Sequence, residues 1–438
     1  MNDILFAAKL DRLDICMRYL RNELRINLVD AGNGSIGLEW ANRWWRRSSA
    51  VRYWLHSFSP IYRALVRQSI IIYWGVSLQK LDSLQYIRAL AALAVVVFHL
   101  NVYYKATSGN DLPYAEWGFL GVDVFFVLSG FIVSHSTKTM DGLKFSISFL
   151  ARRAGRIYLG YWPFLLLGIW SVLQFNPSKL TEQSLISSIF LTESSMFVLI
   201  VGIAWSLVYE LYFYVVFSCS TWIKKGYRLF VLLFLAIFVL SWNSYWQIAH
   251  PVLVINGGMP GKFIFGALAL EFLGGCLLAY GYNFVLRLPT IKIWIFYLVA
   301  ILIAVMLLFA AITEPKIRFN DLYRALYFGG FAAITIICVV TSEQRFVIRY
   351  PKWLVKIGDS SFTLYLFHGF ALNFALSGGI YEFLRLHQSL INLYWILFVT
   401  AVLTISYVYY KNIEYPLYKA FTKFLQAIGI FRPNVFKN

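Results

Sequence analysis

From Leu84 to Tyr410 the chain repeats one feature. Apolar runs of the length a helix needs to cross a bilayer core, about 20 residues, alternate with short polar stretches. Lipid offers the backbone no hydrogen-bond partners, so such runs are satisfied as helices. The runs cover Leu84 to Tyr103, Trp117 to Ser136, Ile157 to Leu173, Ala204 to Trp222 and Leu229 to Trp246. Five more cover Phe263 to Tyr280, Ile293 to Ile312, Leu322 to Thr341, Phe362 to Ser377 and Leu393 to Tyr410. The third and ninth are short. With 60% of residues hydrophobic and 14% charged, a soluble domain is excluded. The expected fold is all-α, a polytopic integral membrane helical bundle of about ten transmembrane helices. Residues 1–80 form a basic, partly amphipathic N-terminal extension, 81–415 the membrane domain and 416–438 a C-terminal tail.

The net charge of +18 raises nucleic acid as a partner, but its distribution points elsewhere. If the N-terminus is cytoplasmic, 31 of the 39 Lys and Arg fall on the cytoplasmic side and 6 on the other. The positive-inside rule then puts both termini in the cytoplasm and makes membrane lipids, not nucleic acid, the partner of this charge. Cys16, Cys219, Cys276 and Cys338 fall on that side or in inner halves of spans, so no disulfide framework is expected. Neither a metal-ligand spacing nor a cleavable signal peptide is read.

Ionisable side chains inside spans are expensive and mark pathways or reaction sites. Arg88 and His99 lie eleven positions apart in the first span. Eleven helical steps make three turns plus roughly 20°, so they share a face about 16 Å apart. Asp123, Glu210, Glu271 and His368 add titratable groups from four more spans, at outer or central depths. Buried polar pairs that glue helices together are the plainer account, and for Glu271 alone the two are evenly matched. For the group, a polar cavity is the better account. Arg152, Arg153 and Arg156 precede the third span. Guanidinium groups suit phosphate oxygens, but topology alone also places Arg there. Arg324 falls inside a span.

The order of motifs resembles the acyltransferase family 3 membrane enzymes. Leu-Gln-Tyr-Ile-Arg88-Ala-Leu-Ala-Ala, then His99, is similar to their Arg or Lys, ten residues, His. Gly-Val-Asp123-Val-Phe-Phe-Val-Leu-Ser-Gly, Arg152-Arg153-Ala-Gly-Arg156 and Trp-Ser-Leu-Val-Tyr-Glu210 follow. Glu271-Phe-Leu-Gly and Thr-Leu-Tyr-Leu-Phe-His368 complete the set. Two departures stand out. Leu159 and Gly160 occupy positions where a proline is usual, with Pro163 later, and the first 80 residues are additional.

The resemblance implies transfer of an acyl group, acetyl by preference, from cytoplasmic acetyl-CoA or another acyl-CoA. The acceptor would be a hydroxyl of an extracytoplasmic polysaccharide or lipid-linked glycan, at the bacterial cytoplasmic (inner) membrane. The acyl-CoA is a donor substrate; no bound cofactor is expected. Arg88, Arg152, Arg153 and Arg156 would hold the donor's phosphates. His99 would act as general base or carry the acyl group. Asp123 or Glu210 would hold its tautomer, and His368 is a second-rank catalytic candidate. A proton-coupled transporter is the alternative, since Asp, Glu and His chains also relay protons. A non-catalytic scaffold is the third reading, and it leaves the Arg88 and His99 spacing unexplained.

Overall fold

The computed structural model describes residues 81–430 apart from 139, 176, 179–182, 256–258, 260, 315–319 and 347. The basic segment expected within residues 1–80 lies outside the described residues, as does 431–438. The described residues are helical, with no strand. The main elements are α1 (Asp82–Ser108), α2 (Leu120–Thr137), α3 (Leu143–Phe175), α4 (Trp205–Ser220), α5 (Lys225–Ala249) and α6 (Leu268–Leu286). They continue with α7 (Thr290–Thr313), α8 (Asp321–Phe346), α9 (Lys352–Asp359), α10 (Ser361–Phe374), α11 (Ile391–Tyr409) and α12 (Tyr415–Ala427).

Nine helical stretches among the described residues are long and apolar enough to cross a membrane. The ninth expected span, Phe362 to Ser377, is not one of them. There the chain forms α9 and then α10, 14 residues or about 21 Å long. The break has a local cause. Ser360 Oγ donates to Lys356 O and Ile357 O at 3.2 Å each, the kind of side-chain bond that competes with helix continuation. Burial compensates for the missing length. Leu364 and Leu366 are fully enclosed, and α10 packs against α1, α3 and α11. A Cβ on Gly358 of α9 would lie 1.9 Å from the Gln85 carbonyl oxygen, so α9 presses backbone to backbone on α1.

The third span is longer than expected. Helix α3 runs 33 residues, includes Arg152, Arg153 and Arg156, and continues through Pro163. The stretch from 416, expected as a tail, is helical to Ala427. Phe421 lies against Gly155 of α3. A π-helical turn, Tyr410–Glu414, joins α11 to α12.

Close backbone contact sets the centre. A Cβ on Gly130 of α2 would sit 2.0 Å from Phe272 O, and one on Gly275 of α6 would sit 1.9 Å from Val127 O. Without side chains at the crossing the two helices approach fully. Lipid-facing positions are apolar instead of polar: Leu298, Leu302, Met306 and Phe309 of α7 are exposed. Helix ends are capped by distant side chains. Glu343 of α8 accepts the Asp82 and Ser83 N–H groups at 3.1 Å each, which satisfies donors at the start of α1. Buried Arg228 donates to Thr137 O at 2.9 Å and to Met140 O, at the end of α2. Arg345 donates to Leu286 O at 3.1 Å and Leu288 O at 2.8 Å, at the end of α6.

Candidate active site

Helix α1 is unbroken between Arg88 and His99, so the geometry inferred from spacing holds along one rod. His99 and His368 meet across α1 and α10, with His368 Nε2 3.2 Å from His99 Nδ1. Each ring also turns back on its own helix. His99 Nδ1 is 3.0 Å from Val95 O, and His368 Nδ1 is 3.1 Å from Leu364 O. A carbonyl oxygen only accepts, so each Nδ1 carries the hydrogen. His368 Nδ1–H donates to Leu364 O, which leaves a lone pair on its Nε2. His99 Nδ1–H is shared between Val95 O and that lone pair. The basic lone pair of His99 therefore sits on Nε2. His368 is buried and His99 partly accessible. Phe98 meets the His99 ring edge-on at 5.1 Å.

The two carboxylates expected to orient His99 are engaged elsewhere. Arg324 grips Asp123 with Nε to Oδ1 at 2.8 Å and a second N–H to Oδ2 at 2.9 Å. That bidentate pair joins the first turns of α2 and α8 and uses the geometry guanidinium and carboxylate share. The Arg324 guanidinium also lies 4.9 Å from the centre of the Phe119 ring. Glu210 accepts from Ser129 Oγ at 3.2 Å and from Tyr214 OH. Among the described residues neither carboxylate bonds to either imidazole, and His368 occupies the place beside His99 Nδ1. Glu210 lies five residues into α4. The segment before α4 packs into the core, with Leu199 and Ala204 fully buried. Tyr365 ties that segment to α10 by donating to Ile203 O at 2.7 Å, and pairs with Ser206 Oγ at 2.8 Å.

The four arginines divide. Arg152 Nε donates to Ser148 O at 3.1 Å on its own helix. Arg153 stacks on Tyr214 and Phe149, 5.5 and 5.8 Å from their ring centres. Arg88 and Arg156 share one electrostatic neighbourhood with Glu210, Tyr214 and Glu414. Spacing along the sequence missed Glu414, which lies on the π-helical turn and accepts from Thr363. Local π-turns recur at functional sites, but nothing in the sequence marks this one. Arg324 did carry a signal, a cation inside an apolar run; its partner was not readable.

The sequence is similar to those of known proteins. Over 318 residues, 65% of this chain and 48% of the relative, the chain is 25% identical to the peptidoglycan O-acetyltransferase OatA of Listeria monocytogenes. Over 276 residues, 60% of this chain and 79% of the relative, it is 28% identical to the exopolysaccharide production protein ExoZ of Rhizobium meliloti. The chain thus spans about half the length of the Listeria protein. No solved structure matches it. Residues 81–411 match the family described as an acyltransferase domain, and with its motifs in order and an all-helical membrane bundle around them the chain belongs to that family, acyltransferase family 3.

Proposed function

We propose that this protein moves an acyl group, acetyl by preference, from acyl-CoA at the cytoplasmic side of a bacterial inner membrane to a hydroxyl of an extracytoplasmic polysaccharide. Family membership supports the reaction class, and the names of both relatives point to polysaccharide acceptors. The observation that carries the reading is the basic Nε2 of His99, on the same helix face as Arg88. The roughly 16 Å between them suits an extended pantetheine arm to order of magnitude.

In this mechanism the acceptor oxygen attacks the thioester carbonyl carbon while His99 Nε2 takes the hydroxyl proton. The C–S bond then breaks, and the imidazolium returns that proton to the leaving thiolate, so no net proton is consumed. His368 positions His99: its neutral Nε2 accepts the Nδ1–H throughout and stabilises the imidazolium. Arg88 and Arg156 take the donor's phosphates, with Arg152 and Arg153 further along α3. Asp123 braces the outer bundle through Arg324.

The test is the purified full chain in detergent with radiolabelled acetyl-CoA and an exopolysaccharide or peptidoglycan acceptor. Label entering the glycan supports the reading. Proton-dependent solute uptake in vesicles without label transfer would replace it with a transporter, and neither activity would leave a scaffold. Arg88→Ala and Arg156→Ala should each raise the Kd for acetyl-CoA about tenfold or more, the loss expected of one charge-assisted contact. Arg88→Lys should recover part of it, because charge survives while bidentate geometry does not. Equal affinity in all variants would move the donor elsewhere.

A further inference from the structure

The corner between α11 and α12 brings a carboxylate to the two arginines assigned to the donor. Glu414 ends the π-helical turn Tyr410–Glu414, and α12 follows directly. Seven positions on, about two turns along the same face, Phe421 lies against Gly155 of α3. Gly155 adjoins Arg156 in the chain, so the packing of α12 on α3 fixes where Glu414 stands relative to that guanidinium. Glu414 is an electrostatic neighbour of both Arg156 and Arg88.

The approach stops short of contact. Among the described residues neither Arg88 nor Arg156 makes a hydrogen bond or an ion pair. Both are half-buried. Glu414 is buried, and its Oε2 accepts from Thr363 Oγ1 of α10, itself enclosed. The partnerless polar atoms sealed from solvent include both carboxyl oxygens of Glu271, but none of Arg88, Arg156 or Glu414. The tips of these three side chains are therefore open to solvent.

A carboxylate free to move would close on a guanidinium, as Asp123 does on Arg324. Thr363 holds Glu414 out of that pair. A carboxylate kept beside two arginines, and not on them, leaves their N–H groups free for an anion while lowering the positive charge that attracts it. Two requirements of the proposed reaction meet there. The donor's phosphates must be bound before transfer, and CoA keeps the same phosphates afterwards. A site of arginines alone holds product as tightly as donor.

We propose that Glu414 is a release carboxylate: a fixed negative charge, held off the arginine pair by Thr363, that weakens its grip on the donor's phosphates so that free CoA leaves after transfer. The proposal rests on the acyl-transfer reading for the identity of the anion. The opposition of one carboxylate to two open guanidinium groups does not depend on it.

The experiment measures binding of CoA, pantetheine and inorganic pyrophosphate to the full chain in detergent. Glu414→Gln should bind CoA and pyrophosphate about tenfold more tightly, the order expected when one unit charge near a bound anion is removed in a protein medium. Pantetheine, which has no phosphate, should bind as to wild type. Stopped-flow release of CoA should slow in proportion. Damaged packing loosens a site, so a gain in affinity separates this role from a structural one. Thr363→Val should act with the opposite sign, because the freed carboxylate closes on Arg156 and competes with the anion. The double variant should then match Glu414→Gln. Weaker CoA binding by Glu414→Gln would make the carboxyl a contact to the nucleotide, and equal binding would make it a tie between α10 and the π-helical turn; either overturns the proposal. Tighter pyrophosphate binding by Glu414→Gln, with no CoA binding by any of the proteins, would leave the opposing charge standing and remove the acyl-CoA reading. No binding of either anion by the wild type would overturn both.

Discussion

A neutral His368 decides which nitrogen of His99 accepts a proton. The two bonds to Val95 O and His368 Nε2 both fall on Nδ1, so the reactive lone pair can only be on Nε2. His99→Ala should therefore lower kcat by about 10² to 10⁴-fold, the range for a lost general base. His368 acts through His99, and its variants separate role from packing. His368→Gln can offer an amide oxygen to Nδ1–H and should retain more activity than His368→Leu, which fills space without accepting. The acetyl-CoA Kd should stay constant across these variants, so the loss sits in kcat. Equal rates for Gln and Leu, in proteins of equal thermal stability, would reduce His368 to a core residue. Sequence spacing put Arg88 and His99 on one face because a helix fixes that relation locally. It could not find the His99 and His368 contact, which joins residues 269 positions apart. Nor could it show that Arg324 claims Asp123, since a counter-ion from another helix is chosen by packing.

At the scale of elements, α1 is held at its N-terminal end by a carboxylate from α8. Leu81 supplies no side-chain cap, and Glu343 takes the first N–H groups in its place. A negative group at a helix N-terminus also meets the positive end of the macrodipole. Glu343→Gln keeps one acceptor and loses the charge, and should cost about 0.5–2 kcal/mol of stability, within the range of a lost cap. Because α1 carries both Arg88 and His99, Glu343→Ala should also loosen the donor site. Thermal unfolding in detergent with and without acetyl-CoA reads both effects. An unaltered midpoint in both variants would show that the α1 start is held by packing alone. Apolar periodicity made α1, α2, α5, α7 and α8 legible, since lipid demands long helices there. It left α9 and α10 ambiguous, because their break is set by Ser360 bonding to its own backbone and their short span is stabilised by neighbours.

Across the whole molecule, that break decides how many times the chain crosses the bilayer. Nine long helices alone would put the two ends of the 81–430 region on opposite sides. If α9 and α10 together make a tenth crossing, both ends lie on one side, the arrangement in which Lys and Arg divide 31 to 6. Burial favours the crossing. His368, Leu364 and Leu366 are enclosed at the centre of α10, and a buried helix need not match the hydrocarbon thickness by itself. Single cysteines at exposed Lys352, Glu382 and Lys419, in a background lacking Cys16, Cys219, Cys276 and Cys338, test it. In intact cells an impermeant thiol reagent should label position 382 alone, with 352 and 419 reacting after permeabilisation. Labelling of 352 and 382 from the same side would make α9 and α10 a re-entrant pair. His368 would then approach His99 from a hairpin and not from a span.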